Sequence, residues 1–177
     1  MLKFSPAFIA LVFFMAAGIA PATQAFQGRS DEIIYNTTAG EMVVLLKSFG
    51  WEAEITTDNA GGPDAVQITF NGYPSWLRLK DCPDNAPSQC GSLMFFSNWD
   101  LGRDVTQADM VKLNKYNDVN VVGRTYFIDK NGPKGDQVGI DFVISIKGGV
   151  TRQHLIQEVE HWDDIIDKFV ETFRSQD

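Results

Sequence analysis

Six large apolar residues near the end of the chain, Leu155, Val159, Trp162, Ile166, Phe169 and Phe173, recur at alternating spacings of four and three. That is the repeat of one helix face. Ile156, Ile165 and Val170 widen the stripe well beyond a coiled-coil seam. A stripe that broad needs a broad apolar surface to lie on, and a sheet supplies one. Glu160, Asp164, Asp167 and Glu171 keep the same spacing on another face and form a solvated acidic ridge.

The sheet is sought upstream. Thr37 or Thr38 can cap a first helix whose stripe is Met42, Leu45, Leu46 and Phe49, with Val43 on its flank and Gly50 as its stop. Residues 51–56 alternate at period two, as do Val66, Ile68 and Phe70. Asn71-Gly72 then marks a hairpin into a strand through Trp76-Leu77-Arg78-Leu79-Lys80. Leu93-Met94-Phe95-Phe96 is a fourth strand. Thr106 and Asp109 pair like a capping box at the start of a second helix, with Met110, Leu113 and Tyr116 on its buried face and its end near Asp118. Strands over 124–129 and 138–146 flank a Gly-rich turn, and Thr151 caps the last helix. The order α-β-β-β-β-α-β-β-α predicts an α+β fold, a mostly antiparallel twisted sheet with three helices packed on it. Trp51, Trp76 and Trp99 are strand aromatics and are expected in the core.

The N-terminus reads differently. Lys3 precedes an apolar run from Phe4 to Ala20, and small residues follow Gly18 and Pro21. This is a cleavable signal peptide over residues 1–25, with cleavage after Ala25, or alternatively after Ala22. A proline near each end and the absence of a following basic cluster argue against a permanent anchor. The protein is therefore expected in the periplasm or secreted, with no stable membrane insertion after cleavage. Residues 26–36 form a polar leader without clear periodicity, and 37–177 a single domain. With 23 acidic against 15 basic residues, the surface repels phosphate backbones, which excludes nucleic acid as a partner.

Export also bears on Cys82 and Cys90, the chain's two cysteines. An even pair in an oxidising compartment is read as a structural disulfide; free thiols are the alternative. Their spacing is too wide for a redox Cys-x-x-Cys motif, and too few ligands lie nearby for zinc. His154 and His161 lie on the last helix about 10 Å apart along its axis, too far to share one metal ion. Glu158 and His161 could pair as ligands, though such a pair on a solvated helix face more often decorates it. The loops at 58–64 and 129–132 lack the ligand spacing of a calcium loop, and Gly148-Gly149 lacks the companions of a phosphate loop. No serine sits in a nucleophile elbow. No catalytic residue, cofactor or metal is expected.

The run Cys82 through Cys90 to Leu93-Met94-Phe95-Phe96 resembles the signature of YbjN-domain proteins, the family of bacterial sensory transduction regulators. Leu113-Asn114-Lys115-Tyr116-Asn117, Arg124-Thr125-Tyr126-Phe127-Ile128-Asp129 and Asp141 are similar to the motifs that follow. So are Gly148-Gly149-Val150-Thr151, Leu155 and Trp162, and together the likeness spans most of 37–173. Tyr116 stands where a tryptophan is common, and the signal peptide is the larger departure. The resemblance implies a fold like the small acidic chaperones of type III secretion, often paired as homodimers, with no established enzymatic activity or ligand.

Two functions follow. The first is a non-enzymatic, protein-binding or chaperone-like module of the bacterial envelope. The second is a small-ligand binder or enzyme whose pocket uses Asn114, Asn117, Arg124 and Asp141, polar residues within the matched motifs. The same residues can equally serve as backbone caps and ion pairs.

Overall fold

The computed structural model describes residues 30–57, 64–130, 132 and 134–174. The signal segment, the leader up to residue 29, the loop over 58–63, and Asn131 and Pro133 of the Gly-rich turn lie outside the described residues, as do 175–177. No helix among the described residues is long and apolar enough to cross a membrane.

Eleven elements follow in the order β1 (Ile33–Ile34), α1 (Ala39–Ser48), β2 (Glu52–Thr56), β3 (Ala65–Phe70), β4 (Tyr73–Lys80), β5 (Ser92–Asp100), α2 (Gln107–Val119), β6 (Arg124–Ile128), β7 (Gln137–Ser145), β8 (Val150–Thr151) and α3 (Arg152–Arg174). Six strands form one antiparallel sheet in the order β2-β3-β4-β5-β7-β6. The expected α+β architecture with three helices is therefore present. The leader departs from expectation. Ile33 and Ile34 pair with Thr151 and Val150 as a separate two-stranded sheet. Two residues are too few to show a period in sequence, and their partner lies more than a hundred residues away.

Strand pleating sorts the side chains into two sets. Val66, Ile68 and Phe70 on β3, Leu77 and Leu79 on β4, Leu93 and Phe95 on β5, and Val138, Ile140 and Ile144 on β7 are buried with Met42, Leu45 and Leu46 of α1, Leu113 and Tyr116 of α2, and the α3 stripe. A single apolar core thus fills the space between one face of the sheet and all three helices. Phe95 packs on Trp162 at 5.9 Å between ring centroids, and Phe169 packs on Trp99 at 5.0 Å. Phe49, Met110 and Trp76, all expected in the core, are not in it. Phe49 caps the C-terminus of α1 and is 45% exposed, and Met110 on α2 is 39% exposed. Both keep the helical period but lie at its margin, where the sheet ends.

The local devices are those the residue types require. Asn71 and Gly72 adopt φ of 47° and 82°, the left-handed pair of a tight hairpin turn. The Asn71 amide also donates to Asp163 and Asp167 of α3, at 2.9 and 3.0 Å, tying the turn to the helix. Thr38 and Glu41 form a reciprocal capping box on α1, and Thr106 and Asp109 form another on α2. The Thr151 hydroxyl accepts from the His154 N–H at 3.1 Å at the start of α3.

Asp109 carries more than a cap. Its carboxylate accepts from Arg103 Nη1 at 2.6 Å and Nη2 at 3.0 Å, as well as from the Thr106 N–H at 2.8 Å. The Arg103 guanidinium holds this carboxyl well below the usual carboxylate range, outweighing its burial, and the Thr106 donors add to the effect. A depressed folded pKa means the stabilisation is complete above the unfolded value near 4 and is lost as pH falls towards the folded value. Asp109→Ala is expected to cost about 2 kcal/mol at neutral pH. By urea titration, that cost should shrink at about pH 2 to 3. A cost independent of pH would contradict the role of the charge.

Candidate functional site

Among the described residues, no helix covers one face of the sheet. The register rows give its composition directly. Across one row lie Glu54, Gln67, Trp76, Phe96, Asp141 and Arg124, in strand order from β2 to β6. A neighbouring row pairs Arg78 with Met94 and Met94 with Val143. On the other side, Asn98 stands opposite Gly139, and Gly139 opposite Tyr126.

The centre of this face is aromatic and cationic. Trp76 and Phe96 stack across β4 and β5, with ring centroids 5.8 Å apart and planes 24° from parallel. The Arg78 guanidinium lies over the Phe96 ring, 4.8 Å from its centroid, a cation–π contact. Met94 is half-buried beside them, and Val143 is 55% exposed. Trp76 is thus half-buried on the open face rather than in the core, a correction to its expected position. Trp51 and Trp99 do pack against the core. The alternation in Trp76-Leu77-Arg78-Leu79-Lys80 carried the signal, because the parity of Trp76 is that of two cations, and Leu77 and Leu79 hold the other.

Towards β6 the face becomes polar. Asp141 is buried and accepts from Arg124 Nε at 3.1 Å and Nη2 at 2.5 Å. This pairing raises the Arg124 pKa, and the charge of Asp141 adds to it. The arginine side chain remains 73% exposed, so it presents further N–H donors outward. Tyr126 donates its hydroxyl to Asn98 Oδ1 at 2.8 Å, and burial pushes the phenol up to about 12. Its ring crosses Gly139, where a Cβ would run into both the ring and the Asn98 amide.

The four polar residues singled out in sequence divide between the two faces. Arg124 and Asp141 join in an ion pair on the open face. Asn117 lies on the helical side, where its Oδ1 accepts from the Thr125 N–H at 2.8 Å and its Nδ2 donates to the Thr125 carbonyl at 3.2 Å. It clamps α2 to β6. Asn114 is exposed on α2. The cleft of about 290 Å³ beside β1, lined by Glu32, Tyr35, Glu41 and Arg152 among others, involves none of the four. Glu158 stands 3.5 Å from both His154 and His161, but no group of three ligating side chains among the described residues could hold a metal ion.

Cys82 and Cys90 form a disulfide across the loop that joins β4 to β5. Cys90 also exchanges backbone hydrogen bonds with Thr37, at 3.0 and 2.9 Å. Asp81 beside it accepts from the Ser92 hydroxyl at 2.6 Å and pairs with Lys147 at 3.2 Å. The bridge therefore anchors the segment that leads into α1.

Comparison with known proteins gives the same architecture a family. No curated protein matches the chain. Among solved structures, the crystal structure of YbjN from E. coli, titled a putative transcription regulator, superposes with a TM-score of 0.55 at 12% identity, covering 75% of this chain and 87% of that one. At that identity the likeness is one of fold. The model of the YbjN family, described as "Putative bacterial sensory transduction regulator", matches residues 39–175. The chain belongs to the YbjN family.

Proposed function

We propose that this protein is a non-enzymatic, protein-binding regulatory module exported to the bacterial envelope, and that the open sheet face is its binding surface. The composition of that face is the observation that carries the reading. Trp, Tyr, Arg and Met are the residues that dominate protein–protein contact energies. Here Trp76, Tyr126, Arg78, Arg124 and Met94 share one uncovered surface, ordered by strand register rather than carried on loops. A family described as regulatory fits a surface of this kind. The polar residues that a catalytic pocket would need are instead spent on structure: Asn117 on the Thr125 backbone and Asp141 on Arg124. The N-terminal segment, with its apolar run and small residues before Ala25, supports export.

A photo-crosslinking amino acid at Val143 of the full chain, expressed in bacteria, tests both parts. Crosslinks to protein should form at Val143 and be absent from a control at Val111 on the exposed side of α2. The protein should fractionate with the periplasm or medium, its N-terminus at residue 26 or 23. Absence of any protein adduct at Val143 would overturn the binding role. Retention of an uncleaved chain in the cytoplasm would overturn export.

A further inference from the structure

We infer that the cleft beside β1 is a second, separate site, and that it binds a small zwitterion: a free α-amino acid with an apolar side chain. Three distant parts of the chain meet there. Residues 32–37 of the leading segment form one wall, Glu41, Met42 and Leu45 of α1 a second, and Arg152 and Leu155 at the start of α3 a third. None of these residues belongs to the open sheet face, so the two sites stand or fall independently. The volume of about 290 Å³ is near the lower limit for small-molecule pockets, about 300 Å³.

The charges define the ligand. Arg152 is 6% exposed, so a guanidinium that cannot deprotonate is taken out of water. It is also the first residue of α3, at the positive end of the helix dipole. Both placements disfavour a cation, and a carboxylate seated in the cleft offsets both. The first N–H groups of α3 are already satisfied. Arg152 and Gln153 donate to the carbonyls of Glu32 and Ser30, at 2.8 and 3.2 Å, and His154 donates to the Thr151 hydroxyl. The guanidinium has five donors, enough to serve a ligand beside any partner within the chain.

Two carboxylates, Glu32 and Glu41, line the same cleft. A simple anion would meet both of them, and a simple cation would meet Arg152. A molecule that carries both charges a short distance apart satisfies the whole set. Glu41 is the better placed to receive an ammonium group. The Thr38 N–H at 2.8 Å and the Thr37 hydroxyl at 3.3 Å both donate to its Oε2, so the carboxylate is fixed before a ligand arrives. Met42, Leu45 and Leu155 are buried and supply an apolar floor, which favours a hydrocarbon side chain.

Isothermal titration calorimetry of the full chain, with L-leucine as the probe, tests this. The expected dissociation constant is about 100 µM or tighter. L-leucinamide lacks the carboxylate and N-acetyl-L-leucine lacks the ammonium, and each should bind at least about 10-fold more weakly. Arg152→Gln should weaken leucine binding by about 10-fold or more. Because that residue is buried, its loss can disturb α3, and Glu41→Gln is the second variant. Glutamine keeps an acceptor for the Thr38 N–H and removes the charge. It should weaken leucine about 10-fold and leave N-acetyl-L-leucine unchanged, a split that a merely loosened fold would not give. No binding of leucine at about 10 mM overturns the inference. So does either analogue binding as tightly as leucine, which would make the cleft a site for a peptide terminus or a simple anion. A Glu41→Gln variant that binds leucine as the parent does overturns it as well.

Discussion

Trp162→Ala is expected to lower the stability of the domain by about 3 kcal/mol, and Trp162→Phe by no more than about 1 kcal/mol. Trp162 lies on α3, fully buried, with its ring against Phe95 at the middle of the sheet. Truncating a core tryptophan ordinarily costs about 3 to 5 kcal/mol, through lost transfer energy and the cavity left behind. Here the lower end applies. The indole Nε1 is buried without a hydrogen-bond acceptor among the described residues, and a stranded donor costs about 1 to 3 kcal/mol that the substitution recovers. Phenylalanine removes the same donor and keeps most of the ring, so its loss of volume is largely offset. Urea unfolding of the two variants decides the matter. A phenylalanine variant as destabilised as the alanine one would show that Nε1 has an acceptor in solution. A neutral alanine variant would mean that α3 is not the main cover of the sheet.

Removing the disulfide, by Cys82→Ser with Cys90→Ala, should cost roughly 2.5 kcal/mol. The closed loop spans a separation of eight residues. Its two prolines already restrict the open chain, which works against the entropic gain. Alanine suits the second position because Cys90 is completely buried, and a serine hydroxyl there would add a separate penalty. The consequence should also be local. Cys90 holds Thr37 through two backbone hydrogen bonds, so the amides of both residues should exchange faster in the variant. An unchanged urea midpoint would rule out the bridge as a stabilising element. Unchanged exchange at Thr37 would show that the leading segment is held by its strand pairing alone.

The helices and strands were legible because each carries its own period. α3 has its stripe, α2 its capping box, and β3 and β4 their alternation about Asn71-Gly72. The same alternation divided Leu77 and Leu79 from Trp76 and Arg78, but a strand cannot say which of its faces the helices will cover. Reading Trp76 as core followed from residue type alone, and parity with Arg78 and Lys80 was the better guide. Arg124 and Asp141 were picked out by motif; that they face each other depends on β6 pairing with β7 as an edge strand. The two-residue strands β1 and β8 left no sequence trace at all.

By itself, then, the sequence determined local structure: where helices and strands start and stop, which side chains share a face, and that an α+β domain results. Those features arise from interactions within a few residues, and the chain pattern encodes them. Tertiary structure decided the rest. It placed all three helices on one side, joined Ile33–Ile34 to Val150–Thr151, and brought Trp76, Phe96, Arg78 and Arg124 from three strands onto one open surface. The reason is physical: one apolar core can be closed by covering one face of the sheet, and no local rule dictates what becomes of the other.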